Sequence, residues 1–315
     1  MATTSAGNPY VESSDLVANY PATSLALANR LDKYAVNPFA DAAARDAAIP
    51  TPVQGQLAQT LDDNKVWRYD GTAWAPFSGA VGAASFTNTP TGTFTDAGID
   101  YSYITFTGTG NIEFDVAGFI DILLIGAGGG SGTITSGSPR ETGGGGAGQL
   151  LEIFNAYVPL GTSAVVIGAG GTAHTVSTYG FGNPSYMLPY FSVGGGSGGT
   201  QNRQGGSGSS GGGGGDESNA AGGLAISVVT GFDGAQGGSS AGIGGGGGGA
   251  GSAASGRIGG VGAISSMNNV STTYSTGGSS SDRANAAANT GNGASGSNAT
   301  GFVGGSGIVI IRTVV

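Results

Sequence analysis

Ile120-Asp121-Ile122-Leu123-Leu124-Ile125 runs without a break into Gly126-Ala127-Gly128-Gly129-Gly130, and the fold turns on how this junction is read. The apolar run has the pattern of a well-buried strand. The residues after it have almost no side chain to bury. Glycine returns as uninterrupted runs at 143–146, 194–196, 211–215 and 244–249. Leu150, Val166, Phe191, Leu224, Ile226, Val229, Ile243, Ile258 and Val261 punctuate these runs, and the chain closes on Ile308-Val309-Ile310-Ile311-Arg312. One reading is a flexible linker. The other is an ordered array. An extended glycine helix with polyproline-II geometry has three residues per turn and makes no internal hydrogen bonds. Lacking side chains, such helices can lie side by side and exchange N–H···O=C bonds, which satisfies each buried backbone group. Residues 244–249 would span about 19 Å in that form. Glycine loses more backbone freedom on ordering than any other residue, so only a cooperative array with sealed apolar edges offsets the cost.

The composition narrows the class. Of 315 residues, 67 are Gly, about three times the usual share of roughly 7%. Glycine does not recur at every third position and Pro is scarce, which excludes collagen. There is no Cys, so no disulfide framework. Charged residues are only 9%, against a charged disordered tail. A net charge of −9 argues against nucleic acid, because phosphate contact needs Lys and Arg. The first residues, MATTSAGNPYVESSD, have neither the basic nor the apolar region of a signal peptide, and no apolar run of about 18 residues suggests membrane insertion. The expectation is a soluble protein made in a cytoplasm.

The first 80 residues hold four Gly and every Lys; the remaining 235 hold 63 Gly, no Lys, 11 acids and five Arg. This step marks a domain boundary. Val17, Tyr20, Ser24, Leu27, Leu31 and Tyr34 form a heptad seam of about two heptads. It serves either as an oligomer contact or as one amphipathic helix packed on its own domain. FADAAARDAAI, from Phe39 to Ile49, reads as a second helix between Pro38 and Pro50. Three strands follow at 57–61, 65–69 and 72–77, with Asp70-Gly71 as a hairpin turn. Trp67 and Trp74 lie on this piece. It is too small to be stable alone, which favours packing between subunits. Further on, Ile112, Phe114 and Val116 alternate with Glu113 and Asp115 as in a half-buried strand.

Four stretches in order resemble a known family: 122–130, 143–148, Val158-Pro159-Leu160-Gly161 with Val165-Val166-Ile167-Gly168-Ala169-Gly170-Gly171, and 304–312. The order is similar to the glycine-rich domain of bacteriophage tail-fibre tip adhesins and minor tail proteins, over roughly residues 103 to 315. The resemblance implies a sandwich of packed polyglycine helices whose distal loops vary and bind a host receptor. Residues 39–74 are similar to small modules near the start of phage fibre proteins that trimerise and attach to the virion. Long Ser-, Asn- and Ala-rich stretches such as 279–300 depart from the family pattern.

Catalytic motifs fail on inspection. Residues 165–173 fit G-x-G-x-x-A, but β-branched residues follow where a helix is needed, and no acid occurs until Asp216. A P-loop needs a Lys, and none follows Lys65. Residues 211–216 fit a glycine-Asp calcium repeat once only, and Ser218 stands where a large apolar residue belongs, so Asp216 and Glu217 read as a solvated loop. His174 is the only His, which leaves no parts for Cys/His zinc sites or a Ser-His-Asp triad. Paired carboxylates for glycoside hydrolysis are not visible in the second half.

What remains are loop aromatics. Tyr179, Phe181, Tyr186, Tyr190 and Phe191 cluster between two glycine tracts; Arg203 and Tyr274 lie in other inserts. They are either plugs that seal the array's edges or receptor contacts, for which flat rings give area at low entropy cost. The expected architecture is mostly β with packed polyglycine-II helices, preceded by a short N-terminal α-helical trimerisation segment (1–36) and a small β module (37–80), the glycine-rich domain being 81–315. The expected function is non-enzymatic and needs no cofactor or metal. It is a virion fibre or minor tail protein, a homotrimer through Val17, Tyr20, Leu27, Leu31, Tyr34, Trp67 and Trp74. Residues 1–80 attach to other virion proteins, and the glycine-rich domain binds a bacterial surface polysaccharide or outer surface protein. The alternatives are a capsid-decorating head fibre, a surface glycan hydrolase and a disordered linker.

Overall fold

The computed structural model describes residues 2–3, 9–10, 36–62, 65–77, 82–134, 140–216, 219–227, 230–239, 242–298 and 300–315. The chain divides into two compact units, Met1–Gly82 and Ala83–Val315. Among the described residues it is mostly β, with several small sheets and one helix. The heptad seam of Val17, Tyr20, Leu27, Leu31 and Tyr34 lies outside the described residues.

In the first unit, strands Asn37–Phe39, Leu57–Thr60, Lys65–Tyr69 and Trp74–Pro76 form one sheet in that order. The first pair is parallel and is joined through the helix Ala42–Ala48. The helix starts later than Phe39 because Pro38 and Phe39 are paired with Gln59 and Thr60 in the sheet. Asp41 caps it by accepting from the Ala44 N–H at 2.8 Å. Arg45 on this helix is buried, its guanidinium 5.2 Å from the Trp67 ring centre and 4.8 Å from that of Trp74. Trp67 also donates from Nε1 to Thr60 Oγ1 at 2.7 Å. Both tryptophans therefore have partners inside their own unit. The hairpin is a four-residue loop, 70–73, and not a two-residue Asp-Gly turn. Gly71 has positive φ, and the Asp70 carboxylate accepts from the Thr72 N–H and hydroxyl and the Ala73 N–H.

The second unit is built on a five-stranded antiparallel sheet. Its order is Leu150–Val158, Gly118–Ile125, Ile308–Val314, Ile99–Phe106 and Gly92–Asp96. The three strands Gly118–Ile125, Leu150–Val158 and Ile308–Val314 are apolar where they meet, and both faces are covered. Ile122, Leu124, Val309 and Ile311 face a cluster with Ile112, Phe114, Val165 and Met187. Leu123, Ile125, Ile308 and Ile310 face a second cluster with Leu150, Met267 and Tyr274. Ile112 and Phe114 point inward as their alternation predicts, but Val116 is 49% exposed. A register shift between Phe114 and Val116 takes it off the buried face.

Each of those three strands continues directly into a glycine segment, so the sheet and the glycine region share chain. The pairing carries over at first: Ile125 pairs with Leu150, Gly126 donates to Gln149, and Gly129 donates to Gly146. Beyond the junction the pattern changes. Gly143 and Gly146 donate to Gly199 and Gly196; Gly144 and Ala147 donate to Gly245 and Gly248; Gly145 and Gly148 donate to Ala294 and Gly291. Donors cycle round three neighbouring segments with a period of three. The carbonyls do the same. Gly143 and Gly146 accept from Gly132 and Gly129, Gly144 and Ala147 accept from Gly213 and Ser210, and Gly145 accepts from Gly278. Six segments thus surround residues 143–148, whereas a strand bonds on two sides only. Residues 210–216 repeat the rule in seven consecutive donors: 210, 213 and 216 to Ala147, Gly144 and Glu141; 211 and 214 to Phe232 and Ala235; 212 and 215 to Gly206 and Arg203.

This contact is possible only without side chains. A Cβ added to Gly144 would overlap the Gly278 carbonyl, one on Gly145 the Gly129 carbonyl, and one on Gly213 the Gly245 carbonyl. None of the three has positive φ, so the requirement is space and not a turn conformation. Net gain per backbone hydrogen bond is about 1 kcal/mol, while fixing a residue's backbone costs roughly 1–2 kcal/mol. The lattice does not hold by itself; the sheet supplies the surplus, at about 1.5–3 kcal/mol for each fully buried aliphatic side chain. The apolar punctuation divides: Leu150 is buried in the second core cluster and Val166 half-buried, whereas Leu224, Ile226, Ile243, Ile258 and Val261 are exposed and do not seal the lattice.

Two outcomes are expected. Gly144→Ala should destabilise the protein by on the order of 3 kcal/mol, whereas Gly108→Ala, where an added Cβ meets nothing, should stay within about 1 kcal/mol of wild type. Thermal unfolding of both variants checks this, and equal behaviour would refute the steric account. The three hydrogen bonds to Asp70, the Ala73 N–H first, lower its pKa from 3.8 to about 2. Because the folded pKa is depressed, the stabilisation is whole above about 3.8 and is lost as pH falls through about 2. NMR titration of the Asp70 carboxyl reads it directly.

Candidate functional site

One end of the glycine lattice is the sheet, and the chain turns round at the other. Ser131 accepts from the His174 N–H and Thr133 donates to the His174 carbonyl, which extends the lattice to its far end. The His174 ring is buried there, and its Nδ1 lies 2.7 Å from the Gly198 carbonyl oxygen. A carbonyl only accepts, so Nδ1 carries the proton. Residues 175–178 form a turn in which the Thr175 Oγ1 accepts from the Ser177 and Thr178 N–H groups. The turn lays Tyr179 on the imidazole, with ring centres 4.3 Å apart and planes 25° apart. Phe181 stacks on Tyr179 in turn, at 5.3 Å and 15°. Tyr179 is 53% exposed and Phe181 46% exposed, so the stack is anchored at its histidine end and open at the other. Burial is the main cause that holds the His174 pKa below its ordinary value of 6.5; the Gly198 bond opposes this and the nearby Arg203 charge adds to it. Arg203 is exposed, in a loop where its N–H donates to the Thr200 carbonyl.

The other aromatics split from this group. Ser185–Met187 and Tyr190–Ser192 form a hairpin near the sheet, with Tyr186 opposite Phe191. Ser185, Met187 and Ser192 are buried, which leaves Phe191 outward and 56% exposed and Tyr186 half-buried. Tyr190 packs on the first core cluster and donates from its hydroxyl to the Tyr157 carbonyl at 3.0 Å. Phe181 and Phe191 nevertheless line one groove together. Tyr274 is 6% exposed in the second core cluster, so it belongs to the interior and not to a binding surface. Asp216 corrects another expectation. It is fully buried, accepts from the Gly242 N–H at 3.1 Å and lies 4.0 Å from the Arg140 guanidinium, where the sequence suggested a solvated loop. Glu217 lies outside the described residues. Glu141 beside it pairs with Arg257.

Residues 104–314 match the glycine-rich domain family. The chain belongs to that family. No curated protein matches it in sequence.

The surface of this glycine-rich domain carries the exposed rings of Tyr179, Phe181 and Phe191 and the exposed Arg203. Among the described residues no group of three His, Asp or Glu is gathered to hold a metal, and no helix is long and apolar enough to cross a membrane. Sequence reasoning weighed His174 only as a catalytic or zinc residue and missed it as the anchor of the stack. It also missed Ile226, which lies on the same groove as Phe181 and Phe191. No local signal marks either residue, because each is placed by lattice neighbours far along the chain.

His174 should titrate with a midpoint below 6.5. The unfolded chain binds the proton more readily, so stability rises with pH: the contribution is whole above about 6.5 and lost as pH falls through the folded value. As the only His, it gives a single imidazole signal in NMR, and the Tyr179 ring-current shifts should change with the same midpoint.

Proposed function

We propose that this protein is a non-enzymatic structural protein of a phage virion, a tail fibre or minor tail protein, and that its glycine-rich domain is a host-binding adhesin. In this reading residues 1–80 trimerise and attach to the particle. The glycine tracts are polyglycine-II helices packed into a slab, which carries the far-end loops outward as a rigid mount. The period of three in the hydrogen bonds of residues 143–148 and 210–216 supports that geometry, since a polyproline-II-like helix has three residues per turn. One observation carries the functional reading. The His174–Tyr179–Phe181 stack is exposed at its outer rings beside Arg203, on loops that the lattice holds in place. Exposed aromatics that are fixed before contact suit recognition, because little entropy is lost on binding. Three copies on one fibre would add avidity without new contacts.

Fluorescently labelled full-length protein should decorate the bacterium that its phage infects and block adsorption of that phage. Tyr179→Ala combined with Arg203→Ala should lower cell binding about tenfold with little change in thermal unfolding. Absence of binding to every susceptible strain refutes the adhesin. Immunogold labelling of whole particles distinguishes a tail position from the head-fibre alternative.

A further inference from the structure

Two adjoining hollows of about 440 and 420 Å³ lie on the side of the glycine-rich domain between the aromatic stack and the sheet. They share Phe191, Val193 and Ile226, so they form one groove. Both volumes fall in the range of small-ligand sites, roughly 300–1,000 Å³. Phe181 stands at the end nearer the stack, and Phe191 and Ile226, 61% exposed, lie between the hollows. Among the described residues no charged side chain lines either hollow.

The polar side chains present are the Ser207 and Ser227 hydroxyls, the Tyr190 hydroxyl, which donates to the Tyr157 carbonyl, and the Gln149 amide, whose Oε1 accepts from the Val193 N–H. Ser207 Oγ accepts from the Leu224 N–H at 3.2 Å. Ser227 Oγ accepts from the Thr230 N–H at 3.4 Å and from Gln149 Nε2 at 3.3 Å. Each serine hydroxyl is engaged as an acceptor, which leaves its proton to donate. An apolar partner laid across the groove would bury both protons without acceptors, at a cost of about 1–3 kcal/mol each. A ligand with an apolar C–H face for the rings and oxygen acceptors for the hydroxyls meets both demands. An anionic ligand finds no countercharge here.

We propose that this groove is a binding site for a neutral saccharide, whose ring stacks on Phe191 or Phe181 and whose oxygens accept from Ser207 and Ser227. The proposal names the receptor chemistry of the adhesin and rests on that reading for its biological setting; the groove shares Phe181 with the aromatic stack and extends from it towards the sheet.

The test uses full-length protein and soluble neutral gluco-, galacto- and manno-oligosaccharides, with phosphorylated and uronic-acid oligosaccharides beside them. Saturation-transfer NMR and calorimetry read the binding. The expected result is binding of at least one neutral saccharide with an affinity that does not change between low and high salt. Phe191→Ala should weaken it about tenfold or more, and Ile226→Ser and Ser227→Ala should weaken it less, with unchanged thermal unfolding. Phe191 is an outward side chain, so its truncation leaves the fold intact; Ile226→Ser is a second probe on another element. Failure of all neutral saccharides overturns the proposal, as does affinity unchanged in both Phe191→Ala and Phe181→Ala. Salt-sensitive binding of the anionic panel alone overturns it, as does self-association abolished by Phe191→Ala, which would make the groove a contact between copies. Cell binding by wild-type protein that binds no saccharide refutes the groove and leaves the adhesin standing. Saccharide binding without cell binding does the reverse.

Discussion

The second unit depends on backbone-to-backbone contact at a distance that no Cβ permits. Residues 143–148 touch six other segments through their own amides and carbonyls, and a methyl group on Gly144 or Gly145 would occupy a neighbour's carbonyl oxygen. In an ordinary core, side chains separate the backbones and contribute the burial energy. Here the backbones are the core, and the stabilising contact is a hydrogen bond worth little on balance. Such a lattice is marginal in isolation, and its order must be fixed from outside.

The five-stranded sheet provides that boundary. Ile122 to Ile125 and Ile308 to Ile311 are buried on both faces, and their strands run on into glycine segments without a loop between them. The register set by apolar packing is passed to segments that have no side chains to set one. This accounts for a region with many equivalent glycines adopting one alignment. It also explains why the far end is closed by polar devices. His174 bonds to the Gly198 carbonyl, Asp216 accepts from the Gly242 N–H, and Ser297 donates its N–H to Thr142 Oγ1. Lattice ends expose orphan amides and carbonyls, and side chains that hydrogen-bond are the remedy.

Function follows from where side chains are allowed. Among the described residues the lattice interior admits mainly glycine with small residues such as Ala127, Ala147, Ala294, Ser131, Ser197 and Ser210, so many large apolar side chains are displaced to turns and outer faces. That explains the exposed Leu224, Ile226, Ile258 and Val261, which on a conventional fold would signal a packing error. The close-packed interior leaves the larger side chains at the periphery. The aromatic stack and the flank groove are two products of that one exclusion.

The sequence by itself determined a good deal. The apolar run at 120–125 and the closing run at 308–312 mark buried strands, because a continuous apolar stretch must be covered on both sides. The glycine tracts between them mark a place where backbones need to meet. The change in composition near residue 80, with 63 of the 67 Gly beyond it and no Lys after Lys65, marks the boundary between the two units. Only the tertiary structure decided which segments are neighbours, since identical glycines carry no register information. It set Tyr274 in the core, buried Asp216 beside Arg140, gave Trp67 and Trp74 an internal cation, and joined Phe181, Phe191 and Ile226 across one groove. The physical reason is common to all of these: position in the lattice is assigned by hydrogen bonds between residues far apart in the chain, and a local pattern cannot encode them.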